Sequence, residues 1–118
     1  MSESIVGKKS FEFAVRIINF YKKFSHENKE YVLSKQILRS GTSIGANIRE
    51  ALNAQSKMDF IHKLSIAQKE CDETIYWLEL LKETEYISDE IYNDLKNPAV
   101  EILKIIRSII ITTKNKNS

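Results

Sequence analysis

An all-α fold, a bundle of four helices, is what this sequence predicts, and three observations carry the prediction. Apolar residues recur at three- and four-residue spacing along most of the chain, the period of a helix with one buried face. Only three glycines and one proline are present, too few for the turns of a β-sandwich or barrel of 118 residues. Polar segments and capping residues then divide the apolar pattern into four stretches, expected at about 10–24, 30–54, 57–83 and 88–113. The length suits one domain, 1–118, and 42% hydrophobic with 29% charged residues is an ordinary composition for a chain that folds around one core.

The first helix starts from Ser10 as an N-cap, with Glu12 in the first turn. Phe11, Ala14, Val15, Ile18 and Tyr21 form one apolar stripe and are assigned to the core. Phe13, Ile17, Phe20 and Phe24 form a second stripe, more apolar surface than one bundle face needs, and are assigned to a subunit contact. The remaining face carries a basic ridge in which Lys9, Arg16 and Lys23 lie seven residues apart and so almost in line.

Leu33, Ile37, Ser40, Ile44, Ile48 and Leu52 line one side of the second helix. Its middle, Ser40 to Asn47, holds Gly41 and Gly45, and each glycine weakens a helix by about 1 kcal/mol relative to alanine. Close approach of a neighbouring helix along the glycine face offsets that loss; a break into two helices is the rival reading, because serine, threonine and glycine also favour turns.

Ser56-Lys-Met-Asp59 fits a capping box and opens the third helix. Phe60, Leu64, Ala67, Cys71, Thr74, Leu78 and Leu81 alternate by four and three along its seam, while Ile61, Ile75, Trp77 and Leu80 lie off it, and Trp77 joins the expected subunit contact. Ser88, Asp89 and Glu90 start the fourth helix, with Ile91, Leu95, Ile102, Ile105, Ile106 and Ile109 expected inward. Pro98 either kinks this helix or, with Asn97 as N-cap, begins a new one. The tail from Lys114 to Ser118 is polar and expected to fray.

The net charge is only +2, but it is unevenly placed: residues 1–58 hold ten Lys or Arg against five Asp or Glu, and residues 59–118 hold eight against eleven. A basic front half suits phosphates or the acidic half of a neighbouring subunit. The ridge of Lys8, Lys9, Arg16, Lys22 and Lys23, extended by Arg39 and Arg49, is the candidate nucleic-acid surface, with Arg16 and Lys23 the leading residues. The segment from Met1 to Lys9 lacks the apolar region of a secretory signal, Lys104 and Arg107 interrupt the longest apolar stretch, and a single cysteine forms no internal disulfide. A cytoplasmic protein without membrane contact is expected.

Catalytic motifs are missing: there is no glycine-rich phosphate loop, no CxxC pair and no nucleophile elbow, so neither an enzyme nor a cofactor is expected. Asp59 and His62 have a spacing that helical bundles use for metals, but a di-iron site needs several such contributions and a second Glu-x-x-His is missing. No metal is assigned. Cys71 falls on the core seam as a small hydrophobe, and Trp77 and the tyrosines are read as packing residues rather than base-stacking platforms.

The run Gln36-Ile-Leu-Arg-Ser-Gly-Thr-Ser-Ile-Gly-Ala-Asn-Ile-Arg-Glu50, followed by Phe60-Ile-His-Lys-Leu-Ser-Ile-Ala67 and Glu73-Thr-Ile-Tyr-Trp-Leu-Glu79, resembles a known family over about residues 10–112. It is similar to the bacterial four-helix bundle proteins encoded in intervening sequences of 23S rRNA genes, relatives of the accessory variability protein of diversity-generating retroelements. The resemblance implies an up-down antiparallel bundle, a continuous helix through Gly41 and Gly45, and a ring-like homopentamer. The retroelement relatives bind nucleic acid on a basic surface and engage a reverse transcriptase, which implies RNA or DNA and such an enzyme as partners here. The resemblance supplies no catalytic residues. The expected function is a self-assembling bundle that binds structured nucleic acid through its basic ridge; the alternative is an oligomeric scaffold for proteins.

Overall fold

In the computed structural model, which describes residues 4–116, four antiparallel helices run up and down: α1 (Ile5–Asn28), α2 (Val32–Leu52), α3 (Lys57–Glu83) and α4 (Asp89–Asn115). Met1 to Glu3 of the N-terminal segment, and Asn117 and Ser118 of the tail, lie outside the described residues. Each helix packs on its two neighbours, and α1 and α4 close the circuit, so α1 lies diagonally across from α3. The end that holds the start of α1, the α2–α3 turn and the end of α4 is called the lower end below.

The caps explain the boundaries. Ser4, not Ser10, caps α1 by accepting from the Gly7 N–H at 3.0 Å, so the helix begins a turn and a half earlier than the apolar stripes suggest. Ser10 is instead a buried hydroxyl that donates to the Gly7 carbonyl. Lys29 closes α1 in the left-handed conformation (φ 50°), and the Glu30 carboxylate then accepts from the N–H groups of Val32, Leu33 and Ser34 at 2.9–3.1 Å, opening α2. Ser56 and Ser88 cap α3 and α4 as expected from the sequence, accepting from Asp59 and Ile91 at 3.0 and 3.1 Å.

The core is built from Phe13, Ile17 and Phe24 of α1, Ile37, Ile44 and Ile48 of α2, Leu64, Ala67, Cys71, Leu78 and Leu81 of α3, and Leu95, Ala99, Ile102 and Ile106 of α4. This reverses the expected roles of the α1 stripes. Phe13, Ile17 and Phe24, assigned above to a subunit contact, are at most 5% exposed and belong to the bundle's own core, whereas Phe11, Val15 and Ile18, assigned to the core, are 58%, 44% and 42% exposed. Phe20 stacks on Phe24 (centroids 5.1 Å apart) and is partly buried, as is Trp77, which meets Tyr76 edge to face. At the other ends of the pattern, Leu52 and Ile91 also face outward rather than into the core.

The glycines decide which α1 stripe turns inward. Neither has a positive φ; both sit in continuous helix, as the family resemblance implies. A Cβ on Gly41 would lie 2.9 Å from both Cγ1 and Cγ2 of Ile17, and one on Gly45 would lie 3.3 Å from the Ser10 carbonyl oxygen. Without those side chains α2 approaches α1 closely enough for Ile17 to fill the space above Gly41. Next to this contact, buried Ser40 and Thr74 join α2 to α3 through their hydroxyls (2.8 Å).

Pro98 neither breaks α4 nor begins a new helix: α4 runs through it from Asp89 to Asn115. Proline has no N–H for the carbonyl four residues earlier, that of Asp94. Arg16 supplies the missing donor from the neighbouring helix, its guanidinium donating to the Asp94 oxygen at 2.9 Å.

Two predictions test these contacts. Gly41→Ala is expected to destabilise the bundle by about 1–2 kcal/mol in chemical denaturation, because steric conflict with Ile17 outweighs the roughly 1 kcal/mol gained in helix propensity. Arg16→Met is expected to cost about 1 kcal/mol, and less in a Pro98→Ala background, where the restored N–H satisfies Asp94 without help. Equal losses in both backgrounds would separate Arg16 from the proline.

Candidate nucleic-acid interface

The seven cations expected to form one ridge do not share one environment. Lys9 pairs with Glu101 of α4 at 2.9 Å, a contact that raises its pKa above the usual lysine value. Arg16, one residue row away, is the donor to the Asp94 carbonyl. Both are therefore directed toward α4, across the α1–α4 seam. Arg39 lies on the opposite side of α1, bridging α2 to α3 through Glu70 (3.0 Å) and Glu73. Its guanidinium lowers the pKa of Glu73, while burial and the nearby Glu73 carboxylate raise that of Glu70. Among the described residues, Lys8, Lys22, Lys23 and Arg49 make no ion pair and are exposed.

These four do not form a single patch either. Lys8 and Arg49 flank a groove of about 710 Å³ between the lower parts of α1 and α2. Its floor is made by small residues, Ala14, Thr42, Gly45 and Ala46, and its walls include exposed Phe11 and Leu52. Glu50, also in the groove, is neutralised by Lys63 at 2.8 Å. Lys22 and Lys23 lie about four turns above Lys8 on α1.

Folding gathers charge along the bundle axis, a feature that the linear sequence conceals. The lower halves of the helices and the α2–α3 turn between them, residues 5–16, 43–70 and 102–116, hold eleven Lys or Arg against four Asp or Glu. The upper halves, residues 17–42 and 71–101, hold seven against eleven. The lower end is thus strongly basic and the upper end acidic. Lys104, Arg107 and Lys114 on α4 contribute to the basic end although they belong to the half of the sequence with net negative charge. Reading charge by sequence halves misses them because antiparallel helices return distant segments to one end. The change of sign along α3 and along α4, basic toward the lower end and acidic toward the upper, was the available signal.

Among the described residues, the buried polar side chains are Ser10, Ser25, Ser34, Ser40 and Thr74. Burial pushes the Cys71 thiol up to about 12, so at neutral pH it is a protonated core side chain. Asp59 and His62 stand near the surface of α3, and among the described residues no three His, Cys, Asp or Glu side chains are grouped to hold a metal ion. No helix of the described residues is long and apolar enough to cross a membrane.

The match to known proteins follows this architecture. A family model described as 23S rRNA-intervening sequence protein matches residues 2–108. The crystal structure of a protein of unknown function from the S23 ribosomal protein family of Bacteroides thetaiotaomicron superposes with a TM-score of 0.88 at 63% sequence identity, covering 90% of this chain and 98% of that one. No curated protein matches the chain. The matched span contains α1, α2, α3 and most of α4, including the two glycines, Pro98 and the ion pairs between helices. With its sequence matched nearly end to end and its four-helix architecture shared, the chain belongs to the 23S rRNA-intervening sequence protein family.

Proposed function

We propose that this protein is a non-enzymatic, self-assembling bundle that binds structured nucleic acid, RNA related to ribosomal or retroelement sequences or the corresponding DNA, through its basic surfaces. The observation that carries the reading is the excess of cations in the lower halves of the helices, to which Lys8 of α1, Arg49 of α2, and Lys104, Arg107 and Lys114 of α4 contribute. A field of one sign at one end of a rod attracts a polyanion and directs its approach. Assembly into a ring, a pentamer if the retroelement relatives are a guide, would repeat that basic end around an axis and multiply phosphate contacts. A reverse transcriptase remains a proposed protein partner on the same analogy.

A second reading, an oligomeric scaffold for proteins, is favoured by the α1–α2 groove, whose apolar walls suit a polypeptide better than a phosphate backbone.

The test is fluorescence anisotropy with a labelled structured RNA across a salt titration. Binding should weaken steeply with salt, because each phosphate contact releases counterions. Replacing Lys104, Arg107 and Lys114 together by glutamate should weaken binding by at least about tenfold and flatten the salt slope by about 2. Replacing Lys22 and Lys23 should have the smaller effect. Absent binding at low salt would remove nucleic acid from the reading and leave the scaffold.

A further inference from the structure

Charge of one sign lines the outer side of the seam between α1 and α2. Lys8 and Lys22 of α1 and Lys35 and Arg49 of α2 are exposed, and among the described residues none of the four makes an ion pair. Lys8 and Lys22 are fourteen residues apart, as are Lys35 and Arg49, close to four full turns, so each pair lies on one face of its helix. The carboxylates that flank the seam are engaged elsewhere: Glu50 pairs with Lys63, and Glu12 stands beside Lys9. His26, one turn above Lys22, adds no negative charge.

The two helices bring these cations to matching heights. The approach of Gly41 to Ile17 and of Gly45 to Ser10 fixes the register of α2 against α1. At about 1.5 Å per residue from the lower ends of the helices, Lys8 and Arg49 both stand at about 5 Å, and Lys22 and Lys35 both at about 26 Å. The four cations therefore form two pairs about 21 Å apart, with one member of each pair on each helix. Between the pairs the surface is apolar. Exposed Phe11, Val15 and Ile18 supply its α1 side, and partly buried Leu38 stands on its α2 side. The floor of small residues is uncharged, and the Thr42 hydroxyl is turned back onto the Leu38 carbonyl at 2.7 Å.

We propose that the α1–α2 seam is the docking groove for an amphipathic helix of another protein, one with acidic residues about fourteen positions apart and apolar residues on the same face between them. Its apolar side chains lie against Phe11, Val15 and Ile18, and its backbone approaches closely over Gly45 and Ala46. One acidic end meets Lys8 and Arg49, the other Lys22 and Lys35. A phosphate backbone gains nothing from the apolar middle, and an extended peptide finds no sheet edge to pair with among the described residues. The cation pattern reads the same in both directions, so it fixes where the helix lies rather than which way it runs. This rests on the scaffold reading given above and names the chemistry of the partner.

The probe is a fluorescein-labelled, stapled helical peptide with glutamates about fourteen residues apart and leucines on the same face between them; its twin carries lysine for each glutamate. In fluorescence anisotropy with the full chain, the acidic peptide should bind at least about tenfold more tightly than its twin at low salt, and the difference should shrink as salt is added. Ala46→Glu sets a carboxylate in the floor and should weaken the acidic peptide at least about tenfold, whereas Ala46→Ser keeps the floor small and should bind as the wild type does. Lys22→Glu with Lys35→Glu should weaken it several-fold, and a peptide with lysine at one end only should recover the loss. Lys23→Glu, off the seam, should leave binding unchanged. Circular dichroism and thermal melting establish that each variant is folded.

Equal affinity for the two peptides, no binding of either, or acidic-peptide binding that survives Ala46→Glu would overturn the docking groove. So would a structured RNA that displaces the peptide and itself loses affinity with Ala46→Glu, which would assign the seam to nucleic acid. A wild-type oligomer that dissociates with Ala46→Glu would assign it to a second copy and overturn the proposal equally. The scaffold reading fails separately: a monomeric wild type that binds the acidic peptide would remove the oligomer and leave the groove, and an oligomer that ignores the peptide would do the reverse.

Discussion

The close approach of α1 and α2 at Gly41 is the constraint from which the arrangement of the bundle follows. Ile17 occupies the space where a Cβ would stand, and its position turns Phe13 and Phe24 into the core with it. Once that stripe is inward, the helical repeat leaves Phe11, Val15 and Ile18 outside and points Lys9 and Arg16 toward α4. The pairing of Lys9 with Glu101 and the donation from Arg16 to Asp94 are thus downstream of the absence of one methyl group. So is the exposure of Phe11, Val15 and Ile18.

Polar contacts set the register of helices that apolar packing brings together. Side chains such as isoleucine and leucine can interdigitate at more than one height, but a carbonyl without its own donor sits at one height only. Asp94, orphaned by Pro98, meets Arg16; the paired hydroxyls of Ser40 and Thr74 and the Arg39 bridge to Glu70 and Glu73 do the same between α2 and α3. Sliding either pair by a turn would leave a buried hydroxyl or a carbonyl without its present partner. The proline in α4 therefore contributes to alignment rather than only disturbing a helix.

The four helices were legible because their apolar repeats are long and three of their starts follow from short cap signals: Ser56 and Ser88 accept where expected, and the acidic residue that opens α2 lies where that helix was placed. The inward face of α1 was not legible, since Phe11-Val15-Ile18 and Phe13-Ile17-Phe24 are equally apolar and equally periodic. Periodicity shows that a face exists, and only the partner helix, here through Gly41, shows which of two faces it is. The different partners along the ridge were hidden for a related reason: charges aligned on one helix are divided by what stands across from them, and Glu101 and the Asp94 carbonyl belong to a helix some eighty residues away in sequence. The basic end was hidden because α4 contributes to it from the part of the chain richest in acid.

Cys71 has a consequence of another kind. It is the only cysteine, it is wholly buried at the centre of α3, and its thiol is held protonated far above neutral pH. A thiol-specific reagent can reach it only when the helices separate, so the rate of alkylation under native conditions reports how often the bundle opens. The molecule therefore contains its own clock for conformational opening, readable by mass spectrometry without any substitution.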